Sequence, residues 1–192
     1  SGVFYVYEPA LRGRSCGKRE RLRCGIRYGH EFSAIRSKDG VARAALALTG
    51  ATVIIPDYRL APEHPWPAAI DDGFAVYRVI ADSPFAIVGE SAGGNLALSL
   101  MLRAKMEGLP LPGAAALLSP WCDLTNSGDS LIANDGRDPT IRAKDVGTSA
   151  RHYAAEKNLE DPAISPINGA YNESFPPCII TTGTRDLLLS QS

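Results

Sequence analysis

The sequence predicts an α/β fold built on a mostly parallel sheet, and three observations carry that expectation. Short β-branched or apolar runs alternate along the chain with longer Ala/Leu-rich runs, as parallel strands alternate with crossover helices. Runs such as Val53-Ile54-Ile55 and Ile87-Val88 are apolar without alternation, the pattern of strands covered on both faces. The 192 residues are 45% hydrophobic and 21% charged, enough apolar chain for one core and too little length for several large domains. A single domain over residues 1–192 is therefore expected.

Val3–Tyr7 opens the chain as a strand, followed by a weak strand signal over Arg21–Tyr28. Val41–Thr49 reads as the first helix and Thr52–Pro56 as the next strand. Ala68–Ala81 is the second helix and Phe85–Val88 a buried strand. Gly94–Glu107 has little polar face before Arg103 and Lys105, so it should lie largely buried against the sheet. Ala114–Leu118 and Cys178–Thr182 complete the strands, with a helix over Ala143–Lys157 between them. Ser119 to Ile141 is a long excursion punctuated by Asn126-Ser127-Gly128-Asp129 and Asn134-Asp135-Gly136, and long structured loops above a sheet often carry binding function.

Composition excludes several classes of function. Twenty basic and 21 acidic residues give a net charge of −1, so no global field favours nucleic acid or membrane. Residues 11–28 concentrate seven basic residues against Glu20. Without interleaved aromatics this run reads as a solvated loop or strand edge, with an acidic partner as the weaker alternative. The longest stretch free of ionisable groups other than Cys, Gly108 to Cys122, is shorter than the ~20 residues of a membrane span and holds three prolines. Ser1-Gly2-Val3 leads straight into a strand-like run, so no secretory leader is expected. Cys16, Cys24, Cys122 and Cys178 form no C-x-x-C pair and the three histidines are not spaced as zinc partners, so no metal site is expected. Cys122 and Cys178 read as buried small hydrophobes, and free thiols in a reducing, cytoplasmic setting are the default.

Gly89-Glu90-Ser91-Ala92-Gly93-Gly94 is the sharpest feature. G-x-S-x-G is a modest signal alone, but here a strand runs into it and a helix runs out, the setting of a nucleophile elbow. A serine at such a tight turn takes an unusual backbone conformation, and the flanking glycines remove side chains that would clash. The turn would lift Ser91 Oγ above the sheet, with the Ala92 N–H as a donor to a tetrahedral oxyanion. The alternative is a glycine-rich turn that only packs or cradles a phosphate. A serine nucleophile needs a base and a group to orient it, and Asp186 follows the last strand through Gly183-Thr184-Arg185. A turn cap or ion pair with Arg185 is the alternative for that carboxylate. His30, His64 and His152 all precede Asp186, and both His64 and His152 read as ordinary loop or surface histidines.

Three motifs in one order carry a family resemblance: Tyr58-Arg59-Leu60-Ala61-Pro62-Glu63-His64-Pro65-Trp66-Pro67-Ala68-Ala69, then Gly89 through Ala97, then Leu118-Ser119-Pro120-Trp121-Cys122-Asp123-Leu124. The chain resembles the hormone-sensitive-lipase-like (family IV) carboxylesterases of the α/β-hydrolase fold over about Val41 to Leu189. The resemblance implies a mostly parallel sheet with helices on both faces and a serine hydrolase acting on small, fairly apolar carboxylic esters or lactones. It matches Ser91 to the nucleophile and Asp186 to the triad acid, and it implies no cofactor. Glu90, Trp66 and Trp121 sit in these motifs as structural residues. The family's His-Gly-Gly-Gly oxyanion run corresponds to Arg27-Tyr28-Gly29-His30-Glu31-Phe32-Ser33, so Gly29 N–H is the second expected donor and Glu31 an unexpected anion beside it. Against the family pattern the chain is expected to be truncated before the catalytic His and to lack the final strand and helix and the N-terminal cap, leaving apolar edge surface exposed. An inactive, truncated hydrolase-fold protein acting as a binding module is the alternative function.

Overall fold

The computed structural model describes residues 2–6 as backbone, residue 44, and residues 47–192. The weak strand at Arg21–Tyr28, the basic run, Gly29, Glu31, Cys16 and Cys24 lie outside the described residues. Of the helix expected over Val41–Thr49, the described residues 44 and 47–49 are helical.

Among the described residues five parallel strands form one sheet in the order β2-β1-β3-β4-β5. They are β1 (Gly2–Val6), β2 (Thr52–Ile54), β3 (Phe85–Glu90), β4 (Ala115–Leu118) and β5 (Cys178–Thr181). β1 lies between β2 and β3, with Gly2 opposite both Thr52 and Phe85. Parallel strands need crossovers: α1 (Ala68–Ile80) carries the chain from β2 past β1 to β3, and α2 (Ala92–Met106) joins the neighbours β3 and β4. A four-residue helix α3 (Ser130–Ala133) and α4 (Ala143–Ala154) stand between β4 and β5.

α1 buries Ile70, Phe74 and Tyr77, which recur at helical spacing, and joins a core with Leu96, Leu100 and Met101 of α2, Ile87 of β3 and Leu117 of β4. Burying side chains of this size stabilises by about 1.5–3 kcal/mol each. Gly73 lets the helices approach, since an added Cβ would sit 3.2 Å from Leu100 Cδ1. The Tyr77 hydroxyl satisfies its buried oxygen by donating to the Pro110 carbonyl at 2.8 Å. On the solvent side Arg103 pairs with Asp71 and Arg78 with Glu107, both at 2.7 Å, tying α1 to α2. A second core gathers Trp121, Leu124, Leu131, Val146, Ala150, Ala154, Ile164, Leu187 and Leu188, so it is made by the excursion, α4, the stretch between α4 and β5, and the segment after β5.

Four expectations need correction. Burial alternates along β3 and β4 instead of being uniform: Phe85 and Ile87 are sealed, whereas Ala86, Val88 and Glu90 are half-buried, because the α1–α2 core closes their face of the sheet more fully than the other. Cys178 is exposed, because β5 is an edge of the described sheet and all four of its residues are accessible. Ile179 and Ile180 on the same strand are 68% and 49% exposed. α2 begins at Ala92, two residues before the expected Gly94, because tight packing overrides the low helix propensity of the two glycines. α4 ends at Ala154, with Ala155 in a positive-φ conformation that stops it before Lys157.

Candidate active site

β3 delivers the chain to Ser91, which has φ 55° and ψ −123°. Positive φ is strained for a residue with a Cβ, so the surroundings must over-determine it. They do so from both sides. The Ser91 N–H donates to Leu118 O of β4 at 3.0 Å, while the Ser91 carbonyl accepts from Gly94 N at 2.9 Å and Trp121 N at 3.0 Å. The peptide groups flanking the serine are thus held by the neighbouring strand end and by its own helix.

Two glycines are required by close approach. A Cβ on Gly89 would stand on the Gly93 carbonyl oxygen and 2.8 Å from Gly94 Cα. A Cβ on Gly94 would lie 2.6 Å from Pro120 Cβ. The strand–turn–helix therefore closes only with glycine at both positions, the steric content of the motif. Ala92 is the first residue of α2, so its N–H has no intrahelical acceptor, and it makes no hydrogen bond among the described residues. That donor lies at the positive end of a 15-residue helix beside Ser91.

Asn95, quoted in the motif without a role, is the internal brace of this corner. It is buried, and its Nδ2 donates to Trp121 O and Ile164 O at 2.9 Å each. One amide thereby links α2 to the segment after β4 and to the chain beyond α4.

Asp186 follows β5 through a turn closed by Asp186 N to Gly183 O at 3.0 Å. Its Oδ1 accepts from Leu188 N at 2.8 Å and its Oδ2 from Thr182 Oγ1 at 3.1 Å. The carboxylate does cap its turn, but among the described residues it makes no ion pair with Arg185. Ser91 and Asp186 line the same open cleft of about 560 Å³, together with Ser119, Asp138, Ile141 and Leu188. Glu90, Arg137 and Arg185 contribute charge of both signs to its wall. Ser119 also has positive φ (44°), and its N–H continues the β4–β5 ladder to Thr181 O at 2.7 Å. His64 and His152 are exposed and neither lines this cleft. His30 lies outside the described residues, as does Gly29.

Asp138 was not singled out by the sequence. It is 8% exposed; burial works to raise its pKa, but hydrogen bonds from Thr140, Ile141 and Leu187 outweigh burial and hold it below the usual carboxylate range. Asp123 is governed in the same way: burial raises its pKa, and Thr125 and Ser127 more than offset that. The only local signal for Asp138 is Asp138-Pro139-Thr140, a spacing that suits an Asx turn. No sequence pattern shows that this carboxylate is buried.

A sheet of parallel strands with a strained serine between a strand and a helix, opposite a carboxylate-bearing turn, is hydrolase architecture, and comparison with known proteins agrees. The chain belongs to the α/β-hydrolase fold family, whose profile matches residues 29–192, and to its hormone-sensitive-lipase-like branch. It is 36% identical over 146 residues to a protein of Acinetobacter venetianus named esterase, covering 73% of this chain and 48% of that one. Among solved structures, the esterase EstE5 soaked with ethyl alcohol superposes with a TM-score of 0.81 at 30% identity, covering all of this chain and 60% of that one. A hormone-sensitive lipase from a metagenome library gives a TM-score of 0.77 at 33% identity, with the same coverage. The chain spans about half the length of the curated relatives it matches. Among the described residues, no helix is long and apolar enough to cross a membrane.

Proposed function

We propose that the protein is a serine carboxylic-ester hydrolase with Ser91 as nucleophile. The observation that carries this reading is the strained Ser91 turn sharing one cleft with Asp186. Ser91 Oγ attacks the ester carbonyl, the C–O bond to the alcohol breaks, and the alcohol leaves with the serine's proton. Water then cleaves the acyl–Oγ ester, releasing the carboxylic acid and restoring the hydroxyl. Negative charge develops on the carbonyl oxygen in both steps. The unpartnered Ala92 N–H beside Ser91 supports its role as one oxyanion donor, with Gly29 N–H as the second. Asp186 is the carboxylate that would orient an imidazole base in such a triad. No imidazole lines the cleft among the described residues, so this reading assigns no base.

The substrate class is a small, apolar carboxylic ester or lactone. Ile141, Pro139 and Leu188 give the cleft apolar wall, and the relatives named esterase and lipase support an ester as substrate. The free thiols of Cys122 and Cys178 fit a reducing, cytoplasmic compartment. The test is hydrolysis of p-nitrophenyl butyrate by the purified protein beside Ser91→Ala. Turnover that falls to the buffer rate in the variant is expected. Equal rates above buffer in the two proteins would overturn the assignment of Ser91, and rates at the buffer level in both would overturn the activity itself.

A further inference from the structure

The turn carrying Asp186 is fastened by residues more than 45 positions earlier in the chain. Leu187 and Leu188 are buried in the second core, which fixes where the turn sits. Its orientation is set by polar contacts from the excursion between β4 and α4. The peptide unit joining Asp186 to Leu187 is held at both edges. Its carbonyl, on Asp186, accepts from Asn134 Nδ2 at 2.8 Å. Its N–H, on Leu187, donates to Asp138 Oδ2 at 2.8 Å. A peptide plane gripped on both sides fixes ψ of Asp186, and with it the direction in which the side chain leaves the backbone.

Asp138 is itself rigid. Its other oxygen accepts from Thr140 N and Thr140 Oγ1 at 2.7 Å and from Ile141 N at 3.2 Å, so the carboxylate cannot rotate to follow a moving turn. Asn134 is 7% exposed and equally enclosed. Ser130 is a further tie, donating to the Leu187 carbonyl at 2.8 Å and pairing with Ser190, but it does not touch the 186–187 peptide unit. Both residues that do touch it are buried and polar, and each spends a hydrogen bond on a partner some 50 positions away.

We propose that Asp138, with Asn134, is a positioning residue that aims the Asp186 carboxylate into the Ser91 cleft. The proposal rests on the reading of Asp186 as the triad acid. Asp138→Asn is the sharpest perturbation because it keeps size and shape. One face of the amide can still accept from Thr140 and Ile141, but the other then sets an N–H₂ against the Leu187 N–H, donor against donor. The 186–187 peptide unit loses one of its two grips and tilts, while the buried Leu187 and Leu188 hold the turn, and with it the apolar wall of the cleft, in place.

The experiment measures p-nitrophenyl butyrate kinetics for the purified protein, D138N, N134A, S130A and S91A, with thermal melts and the backbone ¹⁵N–¹H spectrum of each. D138N and N134A are expected to lower kcat about 10- to 100-fold at little-changed KM, since small misplacement of a catalytic group costs that much. S130A is expected to lower the melting temperature comparably and to leave kcat within about twofold. In D138N the Leu187 amide is expected to shift and to lose protection from hydrogen exchange. Wild-type kcat in a folded D138N, with S91A inactive, overturns the positioning role and leaves the Ser91 reading standing. Loss of kcat in S130A equal to that in D138N also overturns it, by reducing the effect to stability. Should S91A leave turnover unchanged, the Ser91 reading fails on its own. The Leu187 amide then decides: an unmoved, fully protected resonance in D138N overturns the proposal. N134A carries the same kinetic test if D138N does not fold.

Discussion

Replacing Gly89 by alanine adds one methyl group at the tightest point of the serine turn. The new carbon would stand on the Gly93 carbonyl oxygen and 2.8 Å from both Gly93 C and Gly94 Cα, where about 3.5–4.0 Å is the favourable separation. All of these neighbours are backbone atoms of the first turn of α2, so no rotamer change can relieve the overlap. The start of the helix must move by the better part of an ångström, against the Ser91 carbonyl bonds to Gly94 and Trp121 that hold it. Overpacking of this kind costs about 1–3 kcal/mol, and the absence of a flexible neighbour puts Gly89→Ala at the upper end, about 3 kcal/mol. With a urea slope of about 2 kcal/mol/M, the unfolding midpoint should fall by roughly 1.5 M. Gly113→Ala is the matched control: its added carbon would lie 3.8 Å from Phe85 O, an ordinary contact, and should change stability by no more than about 0.5 kcal/mol. Urea unfolding followed by circular dichroism measures both. A Gly89→Ala midpoint within 0.2 M of the parent, or equal shifts in the two variants, would refute the close-approach argument.

Asn95→Ala should cost about 2–4 kcal/mol, because the Trp121 and Ile164 carbonyls both lose their donor in the interior; a melting temperature within a degree of the parent would contradict this. Asp123 and Asp138 have depressed pKa values in the fold, so their stabilisation is present above the unfolded value near 4 and is lost as pH falls through the lower folded value. Asp123→Asn should therefore be less stable than the parent at pH 7, with the gap narrowing from pH 4 to pH 2; a pH-independent gap in urea midpoint would rule that out. Iodoacetamide should alkylate the exposed Cys178 in the folded protein and spare Cys122, whose thiol burial pushes up to about 12, until denaturant is added. Peptide mass mapping reads both sites, and labelling of Cys122 under native conditions would show that its burial is wrong.

Sequence alone went furthest where structure is local. The strand, the turn with Ser91 and the helix that follows occupy 22 consecutive residues, from Phe85 to Met106, and their pattern needs no distant partner to be recognised. The five strands' centres and the buried character of α2 followed in the same way, from runs of apolar residues whose period is set by the element itself. The place of Asp186 at a turn was legible because it lies a short distance beyond an apolar strand. What the sequence could not show depends on pairs of residues far apart in the chain. For Gly94, which the motif already marks as a glycine that avoids a clash, only the fold supplies the obstacle, Pro120 of the segment after β4. Asn95, Asn134 and Asp138 look like ordinary polar residues, and two of them sit in a stretch that composition marks as loop. Their importance comes from burial opposite Trp121, Ile164, Asp186 and Leu187, which is decided when the excursion packs over the second core. Cys178 shows the converse: its sequence neighbours are apolar, but its strand lies at the edge of the described sheet. Hydrophobic period marks which face of an element seeks cover, whereas tertiary packing decides which faces receive it.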